Sequence, residues 1–140
     1  MSSAAATTKN IIHVAGYSGC GFYRRAASVV ASLSLLFPHK LQLVQHEFNN
    51  RDEFRDWLIH GSNNFRDKVG NNANIQSSGG NLRATSHSSS PFCWMSSSTD
   101  KSIDVAAESV LEFIGGCDDT LDWCRKFAQQ RIPAEHKQRW

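Results

Sequence analysis

A chain of 140 residues with 40% hydrophobic and 20% charged residues has the size and composition of one soluble globular domain with a moderate core. A net charge of +2 is too small to indicate a nucleic-acid partner, and no apolar run approaches the ~18 residues of a membrane span. The opening MSSAAATTKN has no apolar stretch like a secretory signal, so a flexible N-terminus over residues 1–10 and a cytoplasmic protein are expected.

IIHVAG (11–16) is a β-branched run ending at glycine and predicts a buried strand. After the turn at Tyr17–Gly21, Phe22, Ala26, Val29/Val30, Leu33 and Leu36/Phe37 recur at helical spacing, and Pro38 ends that helix. KLQLVQHEF (40–48) sets Leu41, Leu43 and Gln45 against its other residues and predicts a second strand. Asn50 with Glu53 has the form of a capping box, and Phe54, Trp57 and Leu58 make the apolar face of a helix ending at Gly61. The Asn-, Ser- and Gly-rich stretch at about 62–88 has too few large apolar groups to offset its ordering entropy and predicts a long polar loop. PFCWMSS (91–97) returns to strand composition, 98–109 reads as a second insert, and VLEFIGG (110–116) is a strand closed by two glycines. CDDTLDWCRKFAQQ then aligns Leu121, Cys124 and Phe127/Ala128 on one helical face, with Asp118 and Asp119 in the first turn where the dipole favours acids. Residues 132–140 are a basic tail, read as a solvated surface. A β-α-β opening requires parallel strands, and the late strand pair suits a hairpin. An α/β fold with a four-stranded mixed sheet and helices on both faces satisfies both, which is the thioredoxin-like layout. The domain spans residues 11–131.

The four cysteines at 20, 93, 117 and 124 include no Cys-x-x-Cys pair, so neither a zinc ribbon nor a local dithiol is available and no metal set is expected. Cys20 differs from the rest. It lies between Gly19 and Gly21 on a turn that opens a helix, so it is expected to face solvent at a helix N-terminus, where unpaired N–H groups stabilise a thiolate. Arg24 and Arg25 add positive potential. The alternative is a structural cysteine at a turn. Cys93 and Cys124 read as core, and His13 and His46 as ordinary strand histidines.

Three segments together resemble the glutaredoxins. CGFY (20–23) follows the first strand and is similar to the monothiol Cys-Gly-Phe-Ser signature, with Tyr23 in place of the serine. SSPF (89–92) stands where the family has a cis proline before its third strand, and FIGGCDDTL (113–121) resembles the Gly-Gly-Cys/Ser-Asp segment before the last helix. The resemblance implies that Cys20 is catalytic and that glutathione binds along Tyr23, Ser90, Pro91, Gly116, Cys117 and Asp118. Ser90 would pair with the cysteinyl backbone, and Asp118 with the γ-glutamyl amine. Cys117 also stands where it could resolve a disulfide with Cys20. The family's cation before the cysteine is missing here, because His13 to Gly19 contains no Lys or Arg; Arg66 or Lys68, and less directly Arg83, stand in for the glycyl carboxylate.

The activity so implied is monothiol, glutathione-dependent exchange with protein or small-molecule disulfides, by a monomer that uses glutathione as its thiol. Two alternatives remain open on sequence. One is a [2Fe–2S] cluster bridging a dimer, with Cys20 as its ligand. The other is a binding module that kept the fold and lost the chemistry.

Overall fold

β1 (Asn10–Tyr17) is buried without interruption from Ile11 to Gly16, the pattern of a central strand covered on both faces. The computed structural model describes residues 10–60, 76–77, 87, 90–96 and 110–131. The N-terminus before Asn10, the 98–109 insert, most of the 62–88 loop with Arg66, Lys68 and Arg83, and the tail at 132–140 lie outside the described residues. β1 leads into α1 (Gly21–Leu36), β2 (Leu41–Phe48), α2 (Arg51–His60), β3 (Gln76–Ser77), β4 (Phe92–Ser96), β5 (Val110–Gly115) and α3 (Cys117–Arg131).

The sheet order is β2-β1-β4-β5-β3. β1 and β2 run parallel from Asn10↔Leu41 to Tyr17↔Phe48, whereas β4 is antiparallel to both β1 and β5. The body of the fold is therefore a four-stranded mixed sheet flanked by helices. A fifth strand departs from the expected loop: Gln76 and Ser77 pair in parallel with Glu112 and Phe113 of β5. An edge strand offers a row of unpaired backbone groups, and two residues of suitable conformation can occupy it whatever their side chains. Composition did not reveal them.

Alternation along the strands divides the core. Ile12, Val14 and Cys93 face α1 and α3, where they pack with Tyr23, Val30, Leu33, Cys124 and Phe127. Ala15, Phe92, Trp94 and Phe113 face α2 and meet Phe54 and Leu58. The buried stripe of α1 is Tyr23, Ala26, Ala27, Val30 and Leu33. It is rotated from the expected one, since Phe22 is 64% and Leu36 70% exposed. On β2 the buried residues are Leu41, Val44 and His46 and not the expected Leu41/Leu43/Gln45 set, because β2 lies at the sheet edge and its neighbours differ on the two faces. α1 ends at Leu36, two residues before the proline, with the N–H of its C-cap Phe37 donating to Leu33 O at 3.0 Å.

A polar chain crosses the α2 face of the sheet. His13 Nδ1 lies 2.9 Å from His46 Nε2, and His13 Nε2 lies 2.7 Å from Ser96 Oγ. Both imidazoles stack on Trp94, with ring centroids 4.9 and 5.2 Å from the indole. The two histidines are therefore buried groups of the core satisfied by hydrogen bonds.

α2 is short, so its entry matters. The Glu53 N–H donates to Asn50 Oδ1 at 2.9 Å, and the Asn49 N–H returns a bond to Glu53 Oε1 at 3.3 Å. The expected capping box is present, with its reciprocal bond displaced by one residue. Asn50→Ala should lower stability by about 1 kcal/mol, read as a shifted midpoint in urea denaturation.

Candidate functional site

The turn from Tyr17 to Cys20 is closed by the Cys20 N–H donating to Tyr17 O at 3.0 Å. Cys20 keeps an extended backbone (φ −87°, ψ 118°) and is the N-cap of α1. Its Sγ takes the place of the usual capping oxygen, accepting the Tyr23 N–H at 3.4 Å. On its other side Sγ lies 3.8 Å from Ser90 O, toward which the thiol proton points. The helix N-terminus expected from sequence is thus in place. The expected exposure is not: Cys20 is only 6% exposed. The glycines allow the turn, but the chain before β4 and the first turn of α1 close over the residue from two sides.

Cys20 lines a cavity of about 450 Å³, within the ~300–1,000 Å³ range of small-molecule sites. Tyr17, Phe22 and Ser90 line it together with Arg51, Phe54 and Arg55 of α2. A larger groove of about 600 Å³ between α1 and α3 reaches Cys124, whose thiol is pushed up to about 12 by burial. Burial keeps that sulfur in its neutral form, and the smaller cavity is the one that holds Cys20.

Burial by itself would push the Cys20 thiol up. The Ser90 hydroxyl, the N–H groups of Tyr23 and Phe22, and the Tyr17 side chain outweigh it, and the thiol settles below its ordinary value. The other cysteines move the opposite way. Cys93, fully buried, is pushed up to about 12 by desolvation. Cys117 is raised by burial and then by the charge of Asp118, against a smaller pull from Arg25. All four are free thiols.

Among the other expected site residues, the Ser90–Pro91 bond is cis. Ser90 adjoins Cys20, while Tyr23 contributes only its backbone to the cavity side. Its ring is fully buried, its hydroxyl accepts from Gln45 Nε2 at 3.1 Å, and burial pushes it up to about 12. The ring and Ser90 meet over Gly16, where a Cβ would fall 2.5 Å from both Tyr23 Cδ1 and Ser90 Oγ. Gly116 approaches the same loop, since a Cβ there would lie 3.8 Å from Pro91 O and 3.5 Å from the His87 ring. His87 Nε2 in turn lies 2.8 Å from Pro91 O. Gly115 takes φ 127°, a conformation that favours glycine. Cys117 is buried in the core cluster that holds Cys20, and Asp118 is exposed at the start of α3. Arg66 and Lys68 lie outside the described residues.

Sequence reasoning missed Tyr17, Phe22, Arg51 and Arg55. The two arginines are an i,i+4 pair of cations, a spacing that in sequence reads as a solvated helix face and carries no site signal of its own. No protein-family model, no curated protein and no solved structure matches the chain.

Two outcomes follow. Because the Cys20 shift is downward, its alkylation by iodoacetamide should reach half its maximal rate at a lower pH in the folded protein than in the urea-unfolded chain. Cys93 and Cys124 should stay unmodified in the same folded sample, as peptide mass mapping reports. Gly16→Ala should destabilise by roughly 1–3 kcal/mol in urea, through overpacking against Tyr23 and Ser90.

Proposed function

We propose that the protein is a glutaredoxin-type thiol–disulfide oxidoreductase with a thioredoxin-like fold, and that Cys20 exchanges with mixed disulfides of glutathione. The observation that carries this reading is a cysteine sulfur capping a helix, held below its ordinary pKa, in a cavity also lined by Arg51 and Arg55.

The Cys20 thiolate attacks the glutathione sulfur of a mixed disulfide. A Cys20–glutathione S–S bond forms, the original S–S bond breaks, and the departing thiolate takes a proton from water to become the reduced product. A second glutathione, as its thiolate, attacks the glutathione sulfur now bonded to Cys20. Oxidised glutathione leaves, and Cys20 returns as thiolate. The incoming glutathione sulfur is oxidised from thiol to disulfide level as the substrate sulfur is reduced to a thiol, the other glutathione sulfur stays at disulfide level throughout, and no second protein cysteine is needed.

Glutathione carries two carboxylates and one amine. Arg51 and Arg55 supply the cationic end of the cavity that the sequence placed at Arg66 or Lys68, and guanidinium suits a carboxylate by paired N–H donors. The N-terminus of α3, with Gly116, Cys117 and exposed Asp118, offers backbone donors for the second carboxylate and an acid for the amine. Protein and small-molecule disulfides are the partners in this reading. The four free thiols agree with a reducing compartment such as the cytoplasm. No helix among the described residues is long and apolar enough to cross a membrane.

A [2Fe–2S] cluster shared between two copies fits this arrangement poorly. Cys20 is only 6% exposed, whereas a bridging cluster needs its ligand at a surface that two subunits can share. The monomer is the favoured state.

Turnover of a glutathionylated small thiol, followed as oxidised glutathione, tests the proposal. Cys20→Ser should abolish it, and persistent turnover in that variant would overturn the assignment. Arg51→Ala and Arg55→Ala should each raise KM for the glutathionyl substrate about tenfold with kcat nearly kept, the pattern of lost binding common to ground and transition states.

A further inference from the structure

A buried hydroxyl that makes no hydrogen bond has lost its water and gained nothing in return, so such groups are uncommon and call for a reason. Ser90 Oγ is one: it is closed off from solvent and has no hydrogen-bond partner among the described residues. It is held firmly, against Gly16 and beside the Tyr23 ring, at the edge of the Cys20 cavity. The carbonyl of the same residue lies 3.8 Å from Cys20 Sγ. Ser90 therefore sets its carbonyl, which can only accept, beside the sulfur, and its hydroxyl, which can donate, belongs to the same cavity-lining residue.

Thiol and thiolate make opposite demands on those groups. The S–H form donates and is served by the carbonyl, which leaves the hydroxyl idle. The thiolate accepts, and gains from every donor within reach. The Tyr23 N–H at 3.4 Å faces the sulfur in both states.

We propose that Ser90 is a catalytic residue whose hydroxyl, unpaired against the neutral thiol, turns to donate to Cys20 Sγ once the thiol proton has passed to water. This rests on the reading of Cys20 as the reacting thiol. The bond is made in the attacking state and released when Sγ joins the glutathione sulfur. It forms again as the second glutathione thiolate displaces Sγ, so it stabilises Cys20 both as nucleophile and as leaving group. Among the groups that favour the thiolate, the Ser90 hydroxyl contributes most. The unsatisfied oxygen is thereby explained: it weakens the resting protein and is repaired on ionisation.

The test compares the full-length wild type, Ser90→Ala and Cys20→Ser. Iodoacetamide labelling of Cys20 is followed against pH by peptide mass, with urea unfolding at a pH where Cys20 is protonated. Ser90→Ala should raise the Cys20 midpoint by about one unit, a tenfold loss of thiolate at a given pH below it. Its urea midpoint should rise, because the change deletes a polar group that was unpaired. A structural hydroxyl would move stability down and leave the pH profile in place. If Ser90→Ala leaves the Cys20 midpoint low and unchanged, or lowers the urea midpoint, the role given to Ser90 is wrong while Cys20 remains the reacting thiol. If wild-type Cys20 itself titrates in the ordinary thiol range, the reading of Cys20 falls, and the role of Ser90 with it. Cys20→Ser confirms which labelled peptide is being followed.

Discussion

At the end of β1 there is no room for a β-carbon. The Tyr23 ring and the Ser90 hydroxyl both rest against Gly16, so the first turn of α1 and the chain entering β4 converge on one backbone position. That convergence holds the N-cap sulfur between a helix and a loop distant in sequence. Tyr23 links the site to the core: its backbone N–H serves Cys20 on one side, while its ring packs with Val30 and Ile12 on the other. Interiors are close-packed and yield little to added volume, so a change anywhere in this contact is felt at the sulfur.

The four cysteines share one buried cluster and differ in ionisation. Cys20 and Cys117 make the comparison sharpest, because each stands at the start of a helix. A helix N-terminus favours a thiolate in both cases. At Cys117, burial and the adjacent Asp118 charge prevail and the thiol is raised. At Cys20 no acidic group occupies the first turn of the helix, and several specific donors reverse the effect of burial. The opposite shifts come from the directed donors, and the helix dipole alone would not have separated the two.

Much of the fold was legible in the sequence. The parallel β1–β2 pair, the antiparallel β4–β5 pair, the α1 stop at Pro38 and the Asn50–Glu53 cap all rest on local chemistry: β-branched runs, a proline and a side-chain acceptor at a helix start. The cis bond at Ser90–Pro91 was expected from a resemblance, since an X-Pro pair by itself does not specify its isomer. What escaped depends on tertiary packing. Arg51 and Arg55 look like any solvated pair on a helix, and only the placement of α2 beside Cys20 turns them into a cavity wall. Glycines around Cys20 suggested an open turn, but the closure comes from residue 90, seventy positions away. Phe22 and Leu36 kept helical spacing and still missed the core, because one helix turn admits several apolar stripes and the neighbouring sheet selects one.

The histidine pair on the α2 face carries one more implication. A neutral imidazole has one N–H and one lone pair, so the two hydrogen bonds of His13 must point the same way along the chain. Either Ser96 gives its proton to His13, which gives its other N–H to His46, or the whole sequence runs in reverse. The links join β1 to β2 on one side and to β4 on the other. Sliding either neighbour by one residue would carry His46 or Ser96 to the opposite face and break its link to His13. Hydrophobic alternation alone tolerates a slip of two residues, since such a slip restores the same faces. This polar chain does not, and it works as a vernier that admits one alignment of three strands.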